Sequence, residues 1–277
     1  MSRLSRQREP VFNIPSIVIA VIVVLVAIHA GRSLLSTQAD FDLLGRFAFV
    51  PARLTALFQP EAVAARGMAW VQSTDPEQQQ NAAALNFFLQ QPTWMLVTLV
   101  TYAGLHGDWA HLGFNSLWLL AFGTPVARRF GQGRFLALLG LAAVAGVLTH
   151  WLIYRFGVEP VIGASAAVSG CMGAALRFMF GSAPSRLEPS EAEQPDTSLA
   201  GVFRSRRALS FLVVWFGSNA LFGLGAVQFG MTQSPVAWQA HVGGFLAGLL
   251  LFRFFDPSIK RDAGHTVPES SDGSEHP

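Results

Sequence analysis

Long apolar runs alternate along this chain with short polar breaks, and each run approaches the ~17–25 residues that a helix needs to cross hydrocarbon. Six helices are predicted: Ile14–Gly31, Trp109–Ala127, Phe135–Phe156, Ala164–Phe180, Ala208–Gln228 and Val236–Phe255. Asp108 stands where an N-cap of the second helix belongs, and Pro257 follows the sixth. The second helix is expected to end in Gly123-Thr124-Pro125, near which it leaves the bilayer. Between the first two helices, Leu44, Phe47, Phe49, Val50, Leu54 and Leu57 recur at helical spacing. They predict an amphipathic helix over Leu43–Leu57, lying in the membrane interface or packed on the bundle. The Pro-, Glu- and Ser-rich stretch Pro184–Thr197 reads as a disordered loop, and Pro257–Pro277 as a disordered tail. The predicted fold class is therefore all-α, a polytopic membrane protein of six transmembrane helices. A tail covers 1–11, one membrane domain 12–256 with a long outer loop at 31–93 and a cytoplasmic loop at 182–207, and a second tail 257–277.

Composition agrees. The 277 residues are 51% hydrophobic and 13% charged, against about 25% charged in soluble domains. The first apolar run is longer than the ~7–15 residues of a signal-peptide core, so an uncleaved span is expected although Ile28-His29-Ala30 resembles a cleavage site. Arginines set the orientation. Arg3, Arg6 and Arg8 precede the first span, Arg128, Arg129 and Arg134 separate the second from the third, Arg186, Arg204, Arg206 and Arg207 the fourth from the fifth. Arg253, Lys260 and Arg261 close the sixth. Six spans put all four groups on one side, which the positive-inside rule makes the cytoplasm, with both termini there. The uncharged loop Val227–Ser234 fits the outside, and the arginines between Arg32 and Pro92 count little because that segment is long. Short loops suggest a bacterial inner membrane. The net charge of +2 is spread over separate short loops, so nucleic acid is not an expected partner, and the single Cys171 excludes an intramolecular disulfide.

Polar groups in apolar runs carry the chemistry, because hydrocarbon penalises them unless they face protein or water. Ser165 follows Pro160 and Gly163 and stands in the first turn of the fourth helix, where unpaired N–H groups and the helix dipole favour a developing oxyanion. Gly163 lets the backbone come close to a substrate carbonyl. Ser169, one turn deeper and followed by Gly170, is the competing nucleophile and lies further from water. His241 precedes Gly244 and Gly248, a small-residue face that matches Gly170 and Ala174. If the faces meet, His241 comes within reach of Ser165 as general base and then general acid. No carboxylate lies inside the bundle to orient it, which makes the pair a dyad. His111 and Asn115 share one face of the second helix and suit oxyanion stabilisation. Three imidazoles, His106, His111 and His241, raise the rival of a zinc site, but carboxylate and thiol partners are missing and Asn is a poor ligand. No metal and no cofactor are expected. His29 and His150 read as structural.

Taken together, these runs resemble the rhomboid family of intramembrane serine proteases. The resemblance rests on His106, His111 and Asn115 at spacings of five and four, on Gly163-Ala164-Ser165 with Met172-Gly173, and on Ala240-His241-Val242-Gly243-Gly244 with Gly248. It covers roughly Thr101 to Phe255. It implies a six-helix rhomboid-like bundle with a Ser165–His241 dyad and an oxyanion hole from the Ser165 N–H, His111 and Asn115. His106, Gly163, Ser169 and Gly244 would support them. It also implies cleavage of transmembrane substrate proteins near their outer end, a membrane-lying first loop, and a fifth helix that gates entry. Four departures from the family pattern stand out. Ala166 replaces a glycine and is expected to crowd the contact of the fourth and sixth helices. Ser169 replaces an aromatic residue that stacks on the histidine, which leaves the Ser169 hydroxyl as the expected orienting group for His241. A Trp-Arg pair is absent from the first loop, where Val97-Thr98 stands near Trp94. Ala127 replaces an acidic residue, whereas Arg129 and Gly131 fit. The alternatives are an inactive protein of the same fold that binds membrane helices as chaperone or adaptor, and a transporter. A transporter would carry charges along a pathway, and only Arg177 lies clearly inside a predicted span.

Overall fold

Small side chains decide which helix occupies the centre. In this computed structural model, which describes residues 14–91, 94–180, 198–224 and 237–257, every residue from Ala166 to Arg177 is buried. The order is α1 (Ser16–Arg32), α2 (Thr37–Phe47), α3 (Pro51–Phe58), α4 (Pro60–Val71), α5 (Pro76–Gln90) and α6 (Met95–Thr101). Then come α7 (Trp109–Trp118), a π turn (Leu119–Gly123), α8 (Thr124–Phe130), α9 (Gln132–Ile153), α10 (Ser165–Met179), α11 (Leu199–Arg204), α12 (Arg206–Leu224) and α13 (Trp238–Phe255). The central helix is α10, flanked by α9 and α13. A Cβ on Gly248 would run into the backbone of Gly170, and one on Gly173 into the backbone of Phe245 and Leu249, so no side chain separates α10 from α13. Glycine seams of this kind replace the hydrophobic drive that helices lack inside lipid. The methyl of Ala166 does not crowd this contact. It faces Gly146 on α9, while Gly244 packs on the Ala166 backbone.

Two predicted elements are corrected. The second helix does not end at Gly123-Thr124-Pro125: the π turn shifts its register, Pro125 falls in the first turn of α8 where its missing N–H is harmless, and the helix stops at Gly131 with φ +78°. The amphipathic helix over Leu43–Leu57 is broken in two. Ala48 and Val50 are extended, Phe49 pairs with Val161 in an isolated antiparallel bridge, and Pro51 restarts the chain as the first residue of α3. Pro184–Thr197, Val227–Ser234 and all but Pro257 of the tail Pro257–Pro277 lie outside the described residues.

Charged side chains clamp both ends of the bundle. Arg129 on α8 pairs with the buried Asp256 at 2.7 Å and lies over the rings of Phe178 and Phe252. Arg177 donates to the Leu249 carbonyl at 2.8 Å, which satisfies a charge inside the core. Buried Arg53 donates to the carbonyls of Gly45 and Gln91, at 2.7 and 3.3 Å, and holds α2, α3 and the end of α5 together. One helix among the described residues, Gln132–Ile153, is long and apolar enough by itself to cross a membrane. Large apolar side chains face outward on α1 (Val23, Val24), α7 (Phe114, Leu117), α12 (Val213, Val214) and α13 (Leu250, Phe254).

Candidate active site

The chain that leads into α10 is tied down at Gly157, Val161, Gly163 and Ala164. Ala52 donates to the Gly157 carbonyl at 2.9 Å, Phe49 and Val161 exchange bonds of 3.2 and 2.8 Å, and Gly163 donates to the Tyr102 carbonyl at 3.0 Å. The Ala164 N–H reaches Nε2 of the fully buried His106 at 3.4 Å. His106 is held in turn, since Arg32 donates to its carbonyl at 2.7 Å and also pairs with Asp40 at 2.7 Å. This network delivers Ser165 to the first position of α10. The first helical bond there runs from Val168 N–H to the Ala164 carbonyl at 2.9 Å, so the N–H groups of Ser165, Ala166 and Ala167 lie before the ladder begins.

Gly163 has φ +113°, and a Cβ on it would lie 2.7 Å from His111 Nε2. Conformation and space both demand glycine. The same contact shows where the second helix aims its donors: His111 and Asn115 converge on the backbone two residues before Ser165, with Asn115 Nδ2 3.9 Å from that Cβ position. Asn115 Nδ2 also donates to the His111 carbonyl at 3.0 Å, leaving a second N–H for the site. The His106 and His111 rings meet edge to face, with centroids 5.1 Å apart.

His241 is placed by register. Gly244 packs on Ala166 and Gly248 on Gly170, so α10 and α13 run parallel. His241 is one turn before Gly244 and Ser165 one residue before Ala166, which puts both at the same end of the seam. No hydrogen bond joins them among the described residues. Among the described residues no hydrogen bond joins His241 to Ser169 either. Nδ1 of His241 lies 2.7 Å from Oδ1 of Asn219 on α12, a residue that sequence reasoning passed over. The signal was present: Asn219 is a carboxamide within an apolar helix, one turn after Trp215. Ser169 is buried deeper in α10. His150 pairs with Gln239 at 3.2 Å, and His29 packs edge-on against Trp109. Among the described residues no group of three or more His, Cys, Asp and Glu is arranged to hold a metal.

The fold is all-helical, and it presents a serine at a helix N-terminus, beside the side chains of His111 and Asn115 and level with a histidine on a glycine-packed neighbour. Residues 93–256 match the family model of the rhomboid domain, and the chain belongs to the rhomboid family. It is 41% identical over 83 residues to the rhomboid protease GluP of Bacillus subtilis, a match covering 30% of this chain and 15% of that protein. Over 153 residues it is 29% identical to the rhomboid protease GlpG of Serratia proteamaculans, covering 55% and 45%. It is 28% identical over 211 residues to RHOMBOID-like protein 5 of Arabidopsis thaliana, covering 76% and 56%. The chain thus spans about half the length, or less, of these relatives.

Proposed function

We propose that this protein is an intramembrane serine endopeptidase that cleaves transmembrane segments of other proteins. One observation carries the reading: the parallel seam of α10 and α13 puts Ser165 and His241 at one level, beneath the donors of His111 and Asn115. Ser165 Oγ attacks the peptide carbonyl while His241 takes its proton and returns it to the leaving amine. The carbonyl oxygen gathers negative charge within reach of the unpaired N–H groups that open α10 and of the side chains of His111 and Asn115. His106 and Gly163 fix the chain before the nucleophile. Substrates carry small side chains at the cut and a helix that unwinds there, because an intact helix hides its carbonyls.

The membrane topology belongs to the same proposal. Six spans, formed by α1, the α7–α8 pair, α9, α10, α12 and α13, would turn the outward apolar side chains to lipid. Helices α2–α5 form the first outer loop. Both termini face the cytoplasm of a bacterial inner membrane, residues 1–11 and 257–277 are tails, and 182–207 is a cytoplasmic loop. The test is reconstitution in proteoliposomes with a single-span reporter. Cleavage within or at the edge of its apolar segment supports the reading. Intact reporter that co-purifies with the protein would favour an inactive helix-binding member of the fold.

A further inference from the structure

The contact between His241 and Asn219 does more than link two helices. Asn219 Nδ2 lies 2.8 Å from the backbone carbonyl of Trp215, one turn earlier on α12. A carbonyl oxygen only accepts, so the NH₂ end of the carboxamide must face Trp215 and the oxygen end must face the imidazole. That oxygen also only accepts, at 2.7 Å from Nδ1, so Nδ1 carries the imidazole proton. In a neutral ring the lone pair is then on Nε2. Histidine tautomers are ordinarily a matter of assignment, but here the chemistry of the Trp215 carbonyl decides it.

The scaffold around the carboxamide is packed into the bundle. Trp215 is buried and stacks on Phe245 of α13, with centroids 4.3 Å apart and planes at 27°. Phe245 is one turn beyond His241 and packs over Gly173 of α10. Asn219 therefore rides on the stretch of α12 that is keyed into the α10–α13 seam. From the rest of the described residues, no hydrogen bond reaches either ring nitrogen of His241.

We propose that Asn219 is the positioning residue of His241, holding the imidazole in the Nδ1–H tautomer with Nε2 aimed for proton transfer. The proposal rests on the protease reading for its consequence, a Ser–His pair whose imidazole is oriented by a third residue, but the contact itself can be read without activity. The tether crosses from α12 to α13, so it persists only while α12 is seated against the seam.

The experiment uses the full chain with ring-¹⁵N histidine in proteoliposomes, His241 being assigned by the signal lost in His241→Gln. Wild type is expected to show a protonated Nδ1 and an unprotonated Nε2. Asn219→Leu, close in size but without an acceptor, is expected to lose that preference and to lower kcat by about 10–100-fold with KM unchanged. Asn219→Asp keeps an acceptor oxygen and is expected to restore both the tautomer and most of kcat. An Nε2–H tautomer in wild type, or a tautomer that Asn219→Leu leaves unchanged, overturns the proposal whatever the rate does. A wild type that cleaves nothing, yet loses its Nδ1–H tautomer in Asn219→Leu, supports the contact and rejects the protease reading instead.

Discussion

Replacing Gly244 by alanine adds one methyl group at the point where α13 meets α10. In the structure that methyl would lie 2.7 Å from the carbonyl carbon of Ala166 and 3.0 Å from its Cα, with the carbonyl oxygen nearer still. Ordinary carbon contacts are about 3.5–4.0 Å, so the helices must separate by about 1 Å. All the opposing atoms are backbone, and no side chain can rotate away. Overpacking of this kind costs about 1–3 kcal/mol. Because the gap opens one turn from His241 and one residue from Ser165, misplacement of about 1 Å should also reduce turnover by roughly 10²-fold. Gly140→Ala is the matched control: it sits inside α9 with nothing within 4 Å of its Cβ position, and should gain about 1 kcal/mol from helix propensity. Thermal unfolding in detergent and reporter cleavage in proteoliposomes read the two effects. A Gly244→Ala protein with wild-type melting and wild-type turnover would refute the seam as the device that aligns the two residues.

Gly163→Ala combines a backbone at φ +113° with a clash against His111 Nε2, and is expected to remove activity by about 10²-fold or more while α9, α10 and α13 remain packed; circular dichroism beside the cleavage assay checks this. Asp256→Asn replaces the buried carboxylate that Arg129 meets at 2.7 Å, and should lower stability by about 1.5–3 kcal/mol without touching the site, seen as earlier unfolding with normal turnover at low temperature. EDTA should leave reporter cleavage unchanged; loss of cleavage that zinc restores would sink the serine assignment and revive the imidazole site.

What could be read in advance follows from the range of the forces involved. Helices α1, α9, α10, α12 and α13 were legible because each must present an unbroken apolar run, and such runs are visible residue by residue. The glycine face of α13 was legible as well, since Gly244 and Gly248 repeat at one-turn spacing, but its register was not: Gly244 meets Ala166 and Gly248 meets Gly170, where Gly170 and Ala174 were expected. The break at Ala48–Val50 was not. Its apolar periodicity runs on through the kink, and the strand-like pairing of Phe49 with Val161 joins residues more than a hundred positions apart. Pro51, a residue suited to the start of a helix, was the local signal that the run divides. At Pro125 the local signal pointed the other way. Proline and glycine read as an ending, but the π turn absorbs the lost bond and the helix continues.

The site divides in the same manner. Ser165, His111, Asn115 and His241 stand out because polar groups at helix starts and beside glycines are rare in apolar runs. Asn219 satisfies the same criterion but lacked a visible partner: its imidazole lies 22 residues away on a different helix, and no spacing rule connects the two. The effect of Ala166 was equally hidden. Which way its methyl points depends on the rotation of α10 between α9 and α13, and it points to Gly146.

The central claim is that Ser165 is an activated nucleophile served by His241. Labelling of the detergent-solubilised protein with a fluorophosphonate probe tests it most directly, in wild type and in Ser165→Ala, Ser169→Ala and His241→Ala. The account predicts labelling of wild type and Ser169→Ala, and none of Ser165→Ala or His241→Ala. Labelling that persists in Ser165→Ala, or that disappears only in Ser169→Ala, would contradict it, and a folded wild type that never labels would point to a binding protein on the same fold.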